Sequence, residues 1–251
     1  MKSRSFVKFN NWLTEADNID WHIKPKINYK KNKKNSFIFF PDGKLNVYDN
    51  CIKNNILRGF GKKIAVITID NSGKVKKFNY NQIDQKVNRF SSLLFSYFKK
   101  QNISNPRIIC HASSSLESAV TMLACAKMGY HFSVIFEDLG KEAITKRIKL
   151  LDPDLFITRQ EKQKIKTKFK NLNFYKKNVF SYKDICNFNL KNNSIPKSKS
   201  IFSGADFFTL FTSGSTGIPK GIVHTTAGYL TYSKFTCKEY FGMNSSSIVL
   251  T

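Results

Sequence analysis

Acidic side chains are scarce in this chain: 17 Asp and Glu stand against 42 Lys and Arg over 251 residues, for a formal net charge of +25. Glycine and proline are also sparse, at 12 and 6 residues, which excludes collagen-like and low-complexity architectures. The five cysteines, at 51, 110, 125, 186 and 237, are odd in number and form no Cys-x-x-Cys pair. Neither a zinc site nor a disulfide framework is visible, so reduced cytosolic thiols are expected. No run reaches the roughly 18–20 apolar residues that a membrane helix needs. The nearest candidate, AVTMLACAKMGYHFSVIF, is broken by Lys127, Gly129 and His131. The start, MKSRSFVKFNNWLTEADNIDW, has basic residues but no apolar core, so it is not a secretory signal. These absences leave a soluble, cytoplasmic protein as the expectation.

What is abundant is aromatic. Aromatic residues make up 14% of the chain, 23 of them Phe, and 41% of residues are hydrophobic. A disordered chain lacks that apolar surface. The length suits one large domain, or one and a half ordinary ones, with a real core. The positive charge is mostly Lys, spread along the chain and accompanied by abundant Asn, Ile and Phe, as an AT-rich coding sequence would produce. No zinc-finger, basic-zipper or RNA-recognition signature goes with it. Specific nucleic-acid binding is therefore not expected.

Residues 1–55 show one short helical stretch, around Phe6 to Ala16, with Phe6, Phe9 and Leu13 on one face. From Lys63 the pattern becomes regular. KIAVITID and VKKFNY, joined by the turn NSGK, predict a hairpin. Asn79 and Gln82 form a capping box that opens a helix with Ile83, Val87, Phe90, Leu94 and Phe98 inward. A strand is expected at Arg107 to His111. A second capping box, Ser114 with Glu117, opens a helix that stops at Gly129. Strand HFSVIF, helix KEAITKRIKLL and strand DLFIT follow. Alternation of this kind predicts an α/β fold with a doubly wound, largely parallel sheet and flanking helices. Residues 159–200 read as a Lys- and Asn-rich surface region of weak periodicity, its Lys run a solvated face. The tail reads as strand DFFTLF, a Gly/Ser loop, strand GIVH, a helix from Thr225 to about Tyr240 and strand SSIVLT. The chain stops at Thr251 inside that apolar run. Termini usually lie outside the core, so this end reads as a cut.

The stretch that carries chemistry is Thr212-Ser213-Gly214-Ser215-Thr216-Gly217-Ile218-Pro219-Lys220-Gly221. Four hydroxyls, three glycines and one lysine fall within ten residues, directly after an apolar strand. Open α/β sheets place ligands at that end of a strand. Glycines let backbone N–H groups approach a phosphate, hydroxyls donate to its oxygens, and Lys220 supplies a compact cation. The spacing is not GxxxxGK[ST], so this is not a Walker loop. A plain flexible linker would need neither Pro-Lys-Gly at its end nor flanking strands.

TSGSTGIPKG resembles the phosphate-loop signature of the AMP-forming acyl-adenylating enzymes. The continuation His224-Thr225-Thr226-Ala227-Gly228-Tyr229-Leu230 resembles the acetyl-CoA and propionyl-CoA synthetase branch, whose usual form is HTTGGYL. GKLNVYDNCI (43–52), FNYNQIDQKVNRFSSLL (78–94), MLACAKMGYHFSVIF (122–136) and AITKRIKLLDPDLFIT (143–158) are similar to successive segments of the same branch. The resemblance implies a small N-terminal cap over residues 1–55 and an incomplete adenylation domain over 56–251. It implies ATP, CoA and a small carboxylic acid as substrates, joined through an acyl-adenylate. Thr212, Ser213, Gly214, Ser215, Thr216, Gly217, Lys220 and Gly221 would hold the ATP phosphates, with Lys220 stabilising charge on the leaving pyrophosphate. Mg2+ ligands are expected beyond residue 251, as are the acyl and adenine pockets and the mobile C-terminal domain.

The chain also departs from the branch. Where the branch has Gly-Gly-Phe near the CoA nucleotide, this chain has Glu137-Asp138-Leu139, whose carboxylates would repel CoA phosphates. After the strand ending Ile-Thr, RQEKQKIKTKFK is basic but lacks the branch's Arg/Gly pattern. The Glu137/Asp138 pair reads as a solvated loop pair before it reads as a magnesium site. His224 reads as packing before phosphate contact; His111 and His131 read as structural, and His22 has no sequence-local ligand partner. Two other classes stay open: a non-catalytic nucleotide-binding remnant or regulatory module, and a basic nucleic-acid binder. The last predicts that DNA or RNA retention falls steeply between low and high salt. Retention that is absent or salt-independent on a nucleic-acid column removes it.

Overall fold

The computed structural model describes residues 13–31, 37–170, 178–186, 188, 194–212 and 219–250. Phe6 and Phe9 lie outside these; Leu13, the third residue of the expected face, is buried. The first elements are short: β1 (Trp21–Ile23), β2 (Tyr29–Lys31), β3 (Phe37–Phe39) and β4 (Lys44–Leu45). β2 and β3 pair with each other, while β4 is the centre of a three-stranded antiparallel sheet. A π-wound turn, Asp49–Lys53, continues as α1 (Asn54–Leu57).

The expected hairpin is present as β5 (Ile64–Ile69) and β6 (Val75–Asn79), and α2 (Tyr80–Lys100) follows it directly. The Asn79/Gln82 capping box closes with both reciprocal bonds at 2.9 Å. Each of Val87, Phe90, Leu94 and Phe98 is fully buried, and Ile83 nearly so. β7 (Arg107–His111), α3 (Leu116–Met128) and β8 (His131–Ile135) then succeed one another. The second expected box is displaced: the cap of α3 is Ser115, whose Oγ accepts from the Ser118 N–H at 3.2 Å. Three consecutive serines offer equivalent caps. The one used also lets Ser118 Oγ donate to the Ser113 carbonyl, which Ser114 capping with Glu117 would not achieve. α3 ends at Gly129 in the left-handed region, φ 66°.

α4 (Lys141–Leu151) and β9 (Leu155–Thr158) match the expected units. In the weakly patterned region the structure adds α5 (Lys162–Lys168), β10 (Val179–Ser181) and α6 (Tyr182–Cys186). The Lys run is thus a helix that pins itself by Ile165 and the following Phe169, both buried. β11 (Ile201–Phe202), β12 (Asp206–Thr212), β13 (Lys220–Thr225) and α7 (Thr226–Glu239) complete the described chain. The last expected strand, SSIVLT, is not one over its described residues: Ile248 is 83% and Leu250 91% exposed. Apolar β-branched residues make a strand only where another strand accepts their hydrogen bonds, and none lies beside this run among the described residues.

β7 to β10, β12 and β13 form one sheet in the order β10-β9-β7-β8-β12-β13. All its pairings are parallel except β12–β13. Helices cover both faces, as in a doubly wound fold. Ile108, Phe132, Leu155 and Ile157 face the cluster built on α2 and α3. Ile109, Ile135 and Phe156 face the second cluster, with Ile144 and Ile148 of α4. Strand alternation thus sorts neighbouring residues to opposite cores. No helix among the described residues is long and apolar enough to cross a membrane.

Gly129 does two jobs, since a Cβ there would also collide with Ile201 Cδ1, whereas Gly73 (φ +78) has nothing within 4 Å. Gly73→Ala should therefore lose only the left-handed backbone cost, about 1 kcal/mol. Gly129→Ala should lose about 1 kcal/mol more, and that excess should vanish in an Ile201→Ala background, as read by urea unfolding. Equal losses at the two glycines would remove the role given to Ile201.

Candidate functional site

In a parallel sheet every strand ends at the same edge, and here that edge gathers His111, Ile135, Thr158 and Thr212. β12 is apolar because it runs between β8 and β13 with Phe208 and Thr209 buried. Its last residue, Thr212, pairs with the first residue of β13, Lys220. The Thr212 Oγ1 lies 3.5 Å from the Lys220 carbonyl, and both side chains are exposed. Ser213, Gly214, Ser215, Thr216 and Gly217, with Ile218, lie outside the described residues. The structure therefore brings together the two ends of the motif: a hydroxyl and a cation held opposite one another by a strand pair.

Gly221 is placed by packing. It pairs with Phe211, and a Cβ on it would stand 3.0 Å from Thr209 Cγ2 and 3.2 Å from Phe211 Cε1. The ring of Phe211 crosses the edge strand where only glycine leaves room, and the guanidinium of Arg147 lies 5.9 Å from that ring. Thr209, Phe211, Gly221 and Val223 line a cleft of about 670 Å³ on one face of the sheet. Lys220, Ile222 and His224 alternate to the other face.

The four histidines sort by neighbour. His224 stacks on Phe208, with ring centroids 4.7 Å apart at 24°, and meets Tyr229 at 5.2 Å. His131 Nε2 is 2.8 Å from Thr209 Oγ1; burial lowers its pKa, against the Asp206 carboxylate, which raises it. His111, fully buried, has Nδ1 3.1 Å from Thr158 Oγ1 and lies 5.2 Å from the Phe156 ring. Burial, helped by Lys168, pulls its pKa down to about 4. His22 does have a partner: Nε2 is 2.8 Å from Asp49 Oδ2. The pair is 27 residues apart in sequence, so no local pattern announces it.

At the end of β8, Asp138 is exposed, but Glu137 is only part exposed, and its Oε1 is buried without a hydrogen-bond partner. Glu137 adds to the burial that pushes the Cys110 thiol up to about 11. Arg159, which opens the basic stretch RQEKQKIKTKFK, is the first residue after β9, and its Nη1 donates to Ser113 Oγ at 2.7 Å. That bond links the ends of β9 and β7 and puts a second cation on the same edge as Lys220. Its one sequence signal is an Arg immediately after an apolar strand. Beside it, α3 presents its N-terminus, the positive end of the helix dipole. Among the described residues, no three His, Cys, Asp or Glu side chains converge as a metal site.

A family model described as AMP-binding enzyme matches residues 55–251. The acetyl-coenzyme A synthetase of Psychromonas ingrahamii is 30% identical over 274 residues, covering 94% of this chain and 40% of that protein. The acetyl-coenzyme A synthetase of Sodalis glossinidius is 32% identical over 237 residues, covering 84% of this chain and 36% of its own. Among solved structures, an acetoacetyl-CoA synthetase from Streptomyces lividans superposes with a TM-score of 0.74 over 93% of this chain and 38% of that one. At 14% identity, that likeness speaks for the fold alone. The chain thus spans about 40% of the length of the first of these relatives.

The buried neutral His111 makes stability depend on pH. Its folded pKa of about 4 lies below the unfolded value of 6.5, so the unfolded chain binds more protons between those limits. Stability should be fully present above pH 6.5 and fall by about 3 kcal/mol on going down to pH 4. His111→Gln should flatten that slope in urea titrations; an unchanged slope would clear His111 of it.

Proposed function

Because this chain belongs to the family of AMP-binding enzymes, we propose that the β12–loop–β13 hairpin binds the phosphates of ATP. We further propose that the whole protein is an AMP-forming acyl-CoA ligase acting on a small carboxylic acid in the cytoplasm. The observation that carries this reading is the pairing of Thr212 with Lys220 at the carboxyl edge of the sheet. The loop between them holds Ser213, Gly214, Ser215, Thr216 and Gly217, whose hydroxyls and N–H groups suit phosphate oxygens.

In the first half-reaction a carboxylate oxygen attacks the α-phosphorus, the bond to the bridging α–β oxygen breaks, and pyrophosphate leaves. In the second, the CoA thiol attacks the acyl carbonyl, a proton is lost and AMP leaves. Lys220 serves the first step: its ammonium offsets the charge that grows on the leaving pyrophosphate. Mg2+, bound with ATP, would add to that neutralisation. CoA's own phosphates meet a divided edge. Glu137 and Asp138 repel them at the end of β8, whereas Arg159 and the N-terminus of α3 attract them from the other side of β7.

Lys220→Ala should weaken ATP and pyrophosphate binding about tenfold or more, as the loss of a charge-assisted contact, measured by isothermal titration on this chain. In the whole protein it should slow pyrophosphate exchange markedly while acyl transfer from preformed adenylate suffers less. Unchanged ATP affinity, or equal loss in both half-reactions, would refute the role of Lys220.

A further inference from the structure

Among the described residues β13 is the edge strand, and β12 is its only neighbour in the sheet. The position of Lys220 therefore depends on the register of one strand pair. Alternation does not fix that register by itself. A slip of two residues keeps every side chain on its own face yet carries Lys220 about 6–7 Å from Thr212. Leu210 and Ile222, which face each other, are about half exposed and would tolerate the change.

Gly221, the residue that leaves room for the Phe211 ring, opposes the slip beside the loop. The Thr226 and Ala227 N–H groups, bonded to the Ala205 and Ser203 carbonyls, oppose it at the far end, where two packing features join them. The first is an irregularity: Asp206 pairs with Thr225 and Phe208 with His224, leaving Phe207 as an extra residue on β12. Its ring packs edge-on against Phe132 at 5.4 Å and Phe208 at 5.2 Å. A bulge of this kind pins register. The second is the His224 ring, laid flat on Phe208 and closed from the side by Tyr229, which meets Phe208 at 4.6 Å and 89°. A two-residue slip would put Ile222 or Thr226 against Phe208 and leave no planar ring to stack.

We propose that His224 is a positioning residue: its stack on Phe208 locks the β12–β13 register and so holds Lys220 opposite Thr212, four residues along the strand. The lock itself is a matter of packing. Its consequence for nucleotide binding rests on the phosphate role given to Lys220 above. Imidazole chemistry has no part in it, so a plain aromatic ring replaces His224 and a small or non-planar side chain does not.

The test uses this chain with Leu210→Cys and Ile222→Cys, a directly opposed pair outside the binding loop. Disulfide formation is mapped by digestion and mass spectrometry, and ATP affinity is measured in the same chains without the cysteine pair. His224 and His224→Phe should give the same yield of the 210–222 disulfide and ATP affinities within twofold. His224→Ser should lower the yield at least fivefold and weaken ATP about tenfold. If that variant does not fold, His224→Gln takes its place with the same expectation. Equal disulfide yields in all chains would overturn the lock. A reduced yield with unchanged ATP affinity would overturn the positioning role, provided Lys220→Ala weakens ATP. Were Lys220→Ala also without effect, the phosphate reading would fall while the disulfide yields still upheld the register lock.

Discussion

One buried side chain ties the small N-terminal sheet to the large one. Asn46, fully buried, donates its amide to the carbonyls of Ala126, Lys127 and Lys199 at 2.8–3.1 Å. Two protons serve three acceptors, so one proton is shared. Its Oδ1 turns back to accept from the Tyr48 N–H at 2.9 Å. Three stretches are fixed at one point: the turn after β4, the end of α3 and the segment leading into β11. Buried carbonyls at a helix end need partners, and here the Asn46 amide shares that task with the Gly129 N–H, which donates to the Ala126 carbonyl at 3.2 Å. The Lys199 N–H completes the junction by donating to the Lys127 carbonyl at 2.9 Å. β11 then pairs with β4, and β12 enters the large sheet a few residues later. The approach of the chain to the β12–β13 hairpin is set here.

Around Asn46 lies a polar layer that a hydrophobic reading would not contain. Asp49, buried, accepts from Ser198 and from His22 through the same oxygen, each at 2.8 Å. Tyr48 donates to Asp84, Asn88 to the other oxygen of Asp84, and Lys127 to Asn88. Lys127, 3% exposed, also lies over the Tyr48 ring. Burial lowers its pKa, while Asp84 and Asp49 pull the other way. A buried ammonium is tolerated only with such partners. In a chain with so many lysines, nothing local distinguishes this one from those in water.

The sheet's geometry explains why the site stands at an edge. Parallel strands buried on both faces leave only their ends for ligands. The antiparallel return from β12 to β13 puts the loop's two ends side by side, so the motif closes on itself within one hairpin. Packing on both sides of that hairpin is aromatic: Phe211 over Gly221 on one face, His224 over Phe208 on the other. The abundance of Phe thus serves the frame of the site as much as the core.

Much of this was legible from residue order alone. The hairpin β5–β6, the Asn79 cap, the inward face of α2, the stop at Gly129 and the β–α alternation all rest on local chemistry, and local chemistry is written in consecutive residues. The Thr212–Gly221 motif stands out in the sequence for the same reason: its hydroxyls, glycines and lysine are contiguous. The structure alone decided what depends on residues far apart. His22 meets Asp49, Arg159 meets Ser113, and Asn46 meets Lys199 only when the chain is folded. It also decided between equivalent local options, capping α3 with Ser115 because Ser118 then finds the Ser113 carbonyl. The apolar tail carries the residue types of a strand, but a strand is a relation between two segments, and no second segment lies beside it among the described residues.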